Sequence, residues 1–228
     1  MESMDSNTEE TTLLEVLAAL RPWLNQDQVF LIELAKHQWN ARLVLAAVLL
    51  ESNKYTEAVL LLQSIIEAPK SDLPEQESYR THALLELGSI RMEQLRYDEA
   101  EDLLWKAREL YSADQDMDYS REDISLLIAQ CRFGQGFVQD AIDRATEIIH
   151  KLQSLDAGGT RMAKAYQQLG WFYMHKMDVP NALFNMKKAM KLAPDLDREL
   201  VDAGLEAEGA GNYEKALENY FDSLLFDS

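Results

Sequence analysis

Four histidines and one cysteine are the side chains best suited to metal or nucleophilic chemistry here, and their spacing supports neither. His37, His82, His150 and His175 stand far apart. A helical zinc site needs two histidines one turn apart, as in His-Glu-x-x-His, or paired thiols, as in Cys-x-x-Cys, and neither pattern occurs. Cys131 is the single cysteine; it has no mate for an internal disulfide and no histidine at a spacing that marks an activated thiol. A phosphate cradle of the Gly-x-x-x-x-Gly-Lys-Ser/Thr type is missing. Gly134-Gln-Gly136 and Gly158-Gly159 follow no strand pattern and read as helix-ending turns. Acidic pairs abound, but with 40 Asp and Glu in 228 residues they read as solvated helix faces rather than general acid and base. The expectation is a non-enzyme that uses no cofactor and no metal.

The elements behind these residues are read from composition and pattern. Hydrophobic residues make up 47% of the chain, enough to build a core. Only 22 Lys and Arg offset the 40 acids, for a net charge of −18. Counterion release from phosphates needs a cationic face, so nucleic acid is an unsuitable partner, and an anionic membrane surface is too. The longest apolar run, Leu43 to Leu50, is far below the roughly 20 residues that span a bilayer. The acidic start Met1-Glu-Ser-Met-Asp-Ser-Asn-Thr-Glu-Glu10 has neither the basic nor the apolar part of a signal peptide. A cytoplasmic location is the expectation.

An internal repeat sets the architecture. Tyr55-Thr-Glu-Ala58, Tyr97-Asp-Glu-Ala100, Val138-Gln-Asp-Ala141, Val179-Pro-Asn-Ala182 and Tyr213-Glu-Lys-Ala216 recur with alanine spacings of 42, 41, 41 and 34. Twelve residues before each alanine stands a small residue, namely Ala46, Gly88, Ala129, Gly170 and Gly204. A pair of helices per repeat follows, with the small residues letting the two backbones approach. Period-two alternation is absent throughout, so the chain reads as all-α. Residues 1–38 lack the signature. They read as an acidic tip followed by a degenerate pair of capping helices, over Thr12 to Leu24 and Gln26 to Trp39.

The fourth segment runs Tyr166-x2-Leu169-Gly170-x2-Tyr173, then Ala182-x3-Met186-x2-Ala189-x4-Pro194. This order of aromatic, Leu-Gly, aromatic, Ala, bulky, Ala and Pro resembles the tetratricopeptide repeat over residues 39–228. The resemblance implies an all-α solenoid, a right-handed superhelix of antiparallel helix pairs with repeats at 39–77, 78–119, 120–158, 159–196 and 197–228. The longer early spacings resemble extended repeats, and their surplus is assigned to Pro69-Lys-Ser-Asp-Leu-Pro74 and Ser112-Ala-Asp-Gln-Asp-Met-Asp118.

The resemblance also implies that first helices line a concave groove. The residues so placed are Leu43, Leu50, Leu85, Ser89, Met92, Leu126, Gln130, Phe133, Gln167, Trp171 and Met174, an apolar floor with a few amides and a hydroxyl to bond a peptide backbone. A protein or peptide partner held there makes the chain a scaffold or adaptor. The alternatives are a peptide-sensing regulator and a non-catalytic subunit of an enzyme complex. Family members that clamp acidic chaperone tails use Lys and Asn where this chain has Leu43, Ala47, Glu86, Asp123 and Leu127, so that ligand is set aside.

Charge adds a second candidate surface. Residues 161–194 hold six basic residues against one acidic, and residues 195–228 hold two against ten. Lys164, Lys187, Lys188 and Lys191 are thus a candidate patch for an acidic partner, unless the neighbouring acidic repeat neutralises them. The end of the chain, Tyr220-Phe-Asp-Ser-Leu-Leu-Phe226, is apolar on more than one side. Phe221, Leu225 and Phe226 are the candidate face for a homodimer.

Overall fold

The computed structural model describes residues 18, 38–68, 74–111, 119–155, 159–193 and 195–225. The capping pair expected in residues 1–38 therefore lies outside the described residues, apart from positions 18 and 38. The chain divides into two compact units, Met1–Asp118 and Tyr119–Ser228, each with its own core.

In the first unit α1 (Trp39–Glu51) pairs with α2 (Tyr55–Ile66), and α3 (Pro74–Glu93) pairs with α4 (Tyr97–Leu110). Helices α1 and α2 both pack on α3. Leu45, Leu49, Leu61, Leu62, Ile65, Leu87 and Ile90 are buried together as the core, each side chain contributing on the order of 1.5–3 kcal/mol. Part of the surplus assigned to the loop at Pro69–Pro74 is helical instead. Pro74 opens α3, as suits a residue whose missing N–H falls among those a helix start cannot pair.

In the second unit α5 (Arg121–Gly134) pairs with α6 (Val138–Ser154), α7 (Gly159–His175) with α8 (Val179–Leu192), and α9 (Arg198–Gly209) with α10 (Tyr213–Asp222). Ser120 and Asp123 form a reciprocal capping box at the start of α5. Gly159 begins α7 rather than ending α6, contrary to the helix-ending turn expected there. The short strands β1 (Asp195–Leu196) and β2 (Leu224–Leu225) pair antiparallel, and Asp197 N donates to Ser223 O at 2.9 Å. The core joins Ala129, Ile142, Ile149, Tyr166, Phe172, Met186, Leu217 and Tyr220.

One turn recurs in all five pairs. Asn53, Leu95, Gly136, Met177 and Gly211 each have positive φ, from 57° to 88°, and each sits five residues before its landmark alanine. At each, the residue itself bonds a carbonyl three back and the next residue one five back, for example Met177 N to Met174 O and Asp178 N to Tyr173 O, both 2.9 Å. This is the left-handed termination that satisfies orphan carbonyls at a helix end. Within the pairs, a Cβ built on Gly88 would stand 3.1 Å from Leu104, and one on Gly170 3.1 Å from Met186. On Gly204 it would come within 2.5 Å of the Tyr220 ring. The small residue of each of these first helices thus receives the bulky residue four past the alanine of the second.

The fifth pair joins its unit differently. In the earlier junctions the first helix of a pair packs on both helices of the pair before, α3 on α1 and α2, α7 on α5 and α6. In the last it is the second helix, α10, that packs on α7 and α8. Helix α9 buries only Gly204. Four carboxylates in its twelve residues, Glu199, Asp202, Glu206 and Glu208, make burial of α9 costly. Helix α10 offers Leu217, Tyr220 and Phe221 on one side.

Candidate functional site

The residues expected to line a groove divide between the two units. In the first, Leu43 and Leu50 on α1 are half-buried at the edge of the core. Ser89 and Met92 on α3 are half-buried as well. Leu85 is not available to a ligand. It is 2% exposed, because α3 buries Ala83, Leu84, Leu85, Leu87 and Ile90 and is enclosed around most of its circumference rather than along one stripe.

In the second unit Gln130 and Phe133 on α5 and Trp171 and Met174 on α7 are half-buried, and the three apolar ones lie against the core. Leu126 corrects the expectation, since it is part of the core at 8% exposure. Gln167 also corrects it, being 7% exposed with its amide Nε2 donating to Phe221 O at 3.2 Å. The aromatic residues form a chain of contacts. Phe133 stacks on Phe172 at 4.9 Å and meets the edge of His175 at 5.0 Å. Trp171 lies 4.4 Å from His175 and 4.8 Å from Phe221.

Phe221 was expected on a bare terminal face suited to a homodimer, and the structure packs it, half-buried, against α7 of its own unit. Its ring and carbonyl are taken by Trp171 and Gln167 of α7, so the apolar side of α10 has intramolecular cover. Leu225 contributes its backbone to the ladder opposite Asp195, and Phe226 lies outside the described residues.

The basic segment is partly spent inside the unit. Lys187 Nζ donates to Glu208 Oε1 at 2.6 Å, so one cation of the proposed patch is neutralised by the acidic pair that follows. Glu208 Oε2 accepts from the Tyr220 hydroxyl at 2.7 Å. Lys187 and then Tyr220 hold the Glu208 carboxyl below its ordinary range, while burial and the nearby carboxylate push the Tyr220 hydroxyl well up. Lys188 stacks over the exposed Phe184 ring at 5.6 Å, Lys191 is exposed one turn on, and Lys164 is half-buried on α7. Of these three only Lys188 and Lys191 extend the patch along the outer side of α8.

The residues first weighed for chemistry stay apart. Cys131 is fully buried. His82 lies 3.6 Å from Glu86, and His175 Nδ1 is 3.0 Å from the Trp171 carbonyl. Among the described residues no three His, Cys, Asp or Glu converge as a metal site, and no helix there is long and apolar enough to cross a membrane. His37 lies outside the described residues.

Sequence reasoning missed the α7–α10 contact. Its one signal was the apolar cluster Tyr220-Phe221 in a fifth segment of high acidity. No family model and no curated protein matches the sequence. Among solved structures, the chain is similar to BtubC (BKLC) from P. vanneervenii, with 18% identity and a TM-score of 0.55 over 93% of this chain and 87% of that one. It is also similar to the MamA protein, with 20% identity and a TM-score of 0.50 over 82% and 90%. At such identities the likeness is one of fold. With five helix pairs and five matching turns among the described residues, and small residues set against bulky ones at one fixed spacing, the fold of this chain is that of the tetratricopeptide-repeat proteins.

Proposed function

We propose that the chain is a non-catalytic adaptor that holds a protein or peptide segment against the inner faces of its first helices. One observation carries the reading. Leu43, Leu50 and Met92 in the first unit, and Phe133, Trp171 and Met174 in the second, are apolar residues left half-buried. Large apolar side chains left half-covered are where partners gain most from excluding water. Ser89 and Gln130 stand among them, half-buried, as donors and acceptors for a peptide backbone. Peptides selected from a displayed random library on the intact chain test this. Binding of the selected peptides should weaken at least tenfold when Leu50→Glu, Met92→Glu or Met174→Glu is introduced, each variant first shown to keep its helix content. Undiminished binding by all three folded variants sinks the reading.

A further inference from the structure

The last helix pair is attached to its unit by an arrangement that looks like a ligand in a site. Helix α10 takes the place on α7 and α8 that a following first helix takes in the other junctions. Its contact with α7 has a definite chemistry. The Phe221 ring sits 4.8 Å from the Trp171 ring at 41°. The Phe221 carbonyl accepts from Gln167 Nε2 at 3.2 Å. Phe221 lies in the last turn of α10, where carbonyls lack the regular i+4 partner and the Phe221 carbonyl has the cap N–H of Ser223. Gln167 therefore adds a side-chain donor to a carbonyl of the helix end, and Trp171 takes the side chain of the same residue.

The two helices of this pair are fastened unequally. Helix α9 buries Gly204 alone and leaves Leu205 52% exposed. Helix α10, by contrast, packs Ala216, Leu217 and Tyr220 into the core. The Lys187–Glu208 ion pair ties the pair to α8 but is partly open to water and worth little, and the β1–β2 ladder and the Glu208–Tyr220 bond close the pair on itself. A helix joined by a short link to its receptor faces it at an effective concentration near millimolar, so it fills the site without needing high intrinsic affinity.

We propose that the Gln167–Trp171 face of α7 is a receptor for the C-terminal turn of an amphipathic helix with an aromatic anchor, that α10 is its resident ligand, and that a partner helix of this chemistry binds by displacing the α9–α10 pair. This rests on the adaptor reading for its biological use, but the site can be tested without it. The probe is a fluorescein-labelled peptide of residues 213–225 of this chain, added to the full chain and followed by anisotropy. The Phe221→Ala chain, checked for retained helix content, binds the peptide at least tenfold more tightly than the unaltered chain, and adding Trp171→Ala removes that gain. Equal binding by the unaltered and Phe221→Ala chains overturns the proposal, as does a gain that survives Trp171→Ala. Hydrogen exchange on the unaltered chain supplies a test independent of any variant. Millimolar peptide should speed exchange in residues 213–222 of the chain at least tenfold, and unchanged exchange overturns displacement. The adaptor reading fails separately, through library peptides that ignore Leu50→Glu, Met92→Glu and Met174→Glu.

Discussion

Two kinds of residue decide how tightly each helix pair closes, and both yield predictions. The left-handed turn residue is glycine in two pairs but Asn53, Leu95 and Met177 in the others. A side chain in that conformation costs roughly 1–2 kcal/mol, less for Asn. Leu95 and Met177 are 72% and 83% exposed, so little packing repays the strain. Leu95→Gly and Met177→Gly should each stabilise the protein by about 0.5–1 kcal/mol in thermal or urea unfolding, after the greater backbone freedom of glycine in the unfolded chain is subtracted. Gly204 has the opposite character. Alanine there adds helix propensity worth about 1 kcal/mol, but its Cβ would press within 2.5 Å of a Tyr220 ring that is fully buried and held at its hydroxyl by Glu208. The ring cannot swing aside, and Gly204→Ala should destabilise by about 1–3 kcal/mol net, as overpacking does. An unfolding midpoint unchanged from the parent would refute that.

At the scale of elements, the repeat itself was legible and the last junction was not. Landmarks such as Gly88 with Leu104, or Gly170 with Met186, act between helices adjacent in sequence, so a local pattern records them. Which helix of the fifth pair packs on α7 and α8 is a contest between two distant amphipathic faces. Leu200, Val201 and Leu205 on α9 look much like Leu217, Tyr220 and Phe221 on α10 until the carboxylates around the former are weighed. The inner-face residues were predicted as though every junction were alike and every first helix had one open side. Leu85 and Leu126 fail on the second assumption, Gln167 on the first. Of the surplus assigned to Pro69–Pro74 and Ser112–Asp118, Pro74 extends α3, while residues 69–73 and 112–118 lie outside the described residues. Junction electrostatics gives a pH prediction. Glu208 is held below its ordinary value of 4.5 by Lys187 and Tyr220, so its contribution is complete above that value and is lost as pH falls through the lowered one. Tyr220 is pushed above its ordinary value of 10.0, so the stability it lends is complete below pH 10 and declines above it. Melting temperature against pH should therefore fall at both ends, and Glu208→Gln should flatten part of each limb. Identical limbs in parent and variant would remove Glu208 from the account.

For the molecule as a whole, net charge sets the response to salt. A net charge of −18 makes distant like charges repel in the folded state, whereas the favourable pairs, such as Lys187 with Glu208 and Asp140 with Arg132 and Arg144, are few and short-range. Raising ionic strength from about 0.01 M to 0.15 M shortens the screening length from roughly 30 Å to 8 Å. The long-range repulsion is screened more than the contacts, and the melting temperature should rise by about 2–4 °C, the equivalent of about 1 kcal/mol in a chain of this size. A fall with added salt would show that local ion pairs dominate. The inverted attachment of α9 and α10 carries one more consequence. In a stack of repeats every pair is both a guest on the one before and a template for the next. By docking through its second helix, the fifth pair leaves its acidic first helix exposed along most of its length. A like-charged helix laid on that acidic surface would be repelled by it, so the fifth pair selects cationic or neutral neighbours where the earlier pairs select apolar ones.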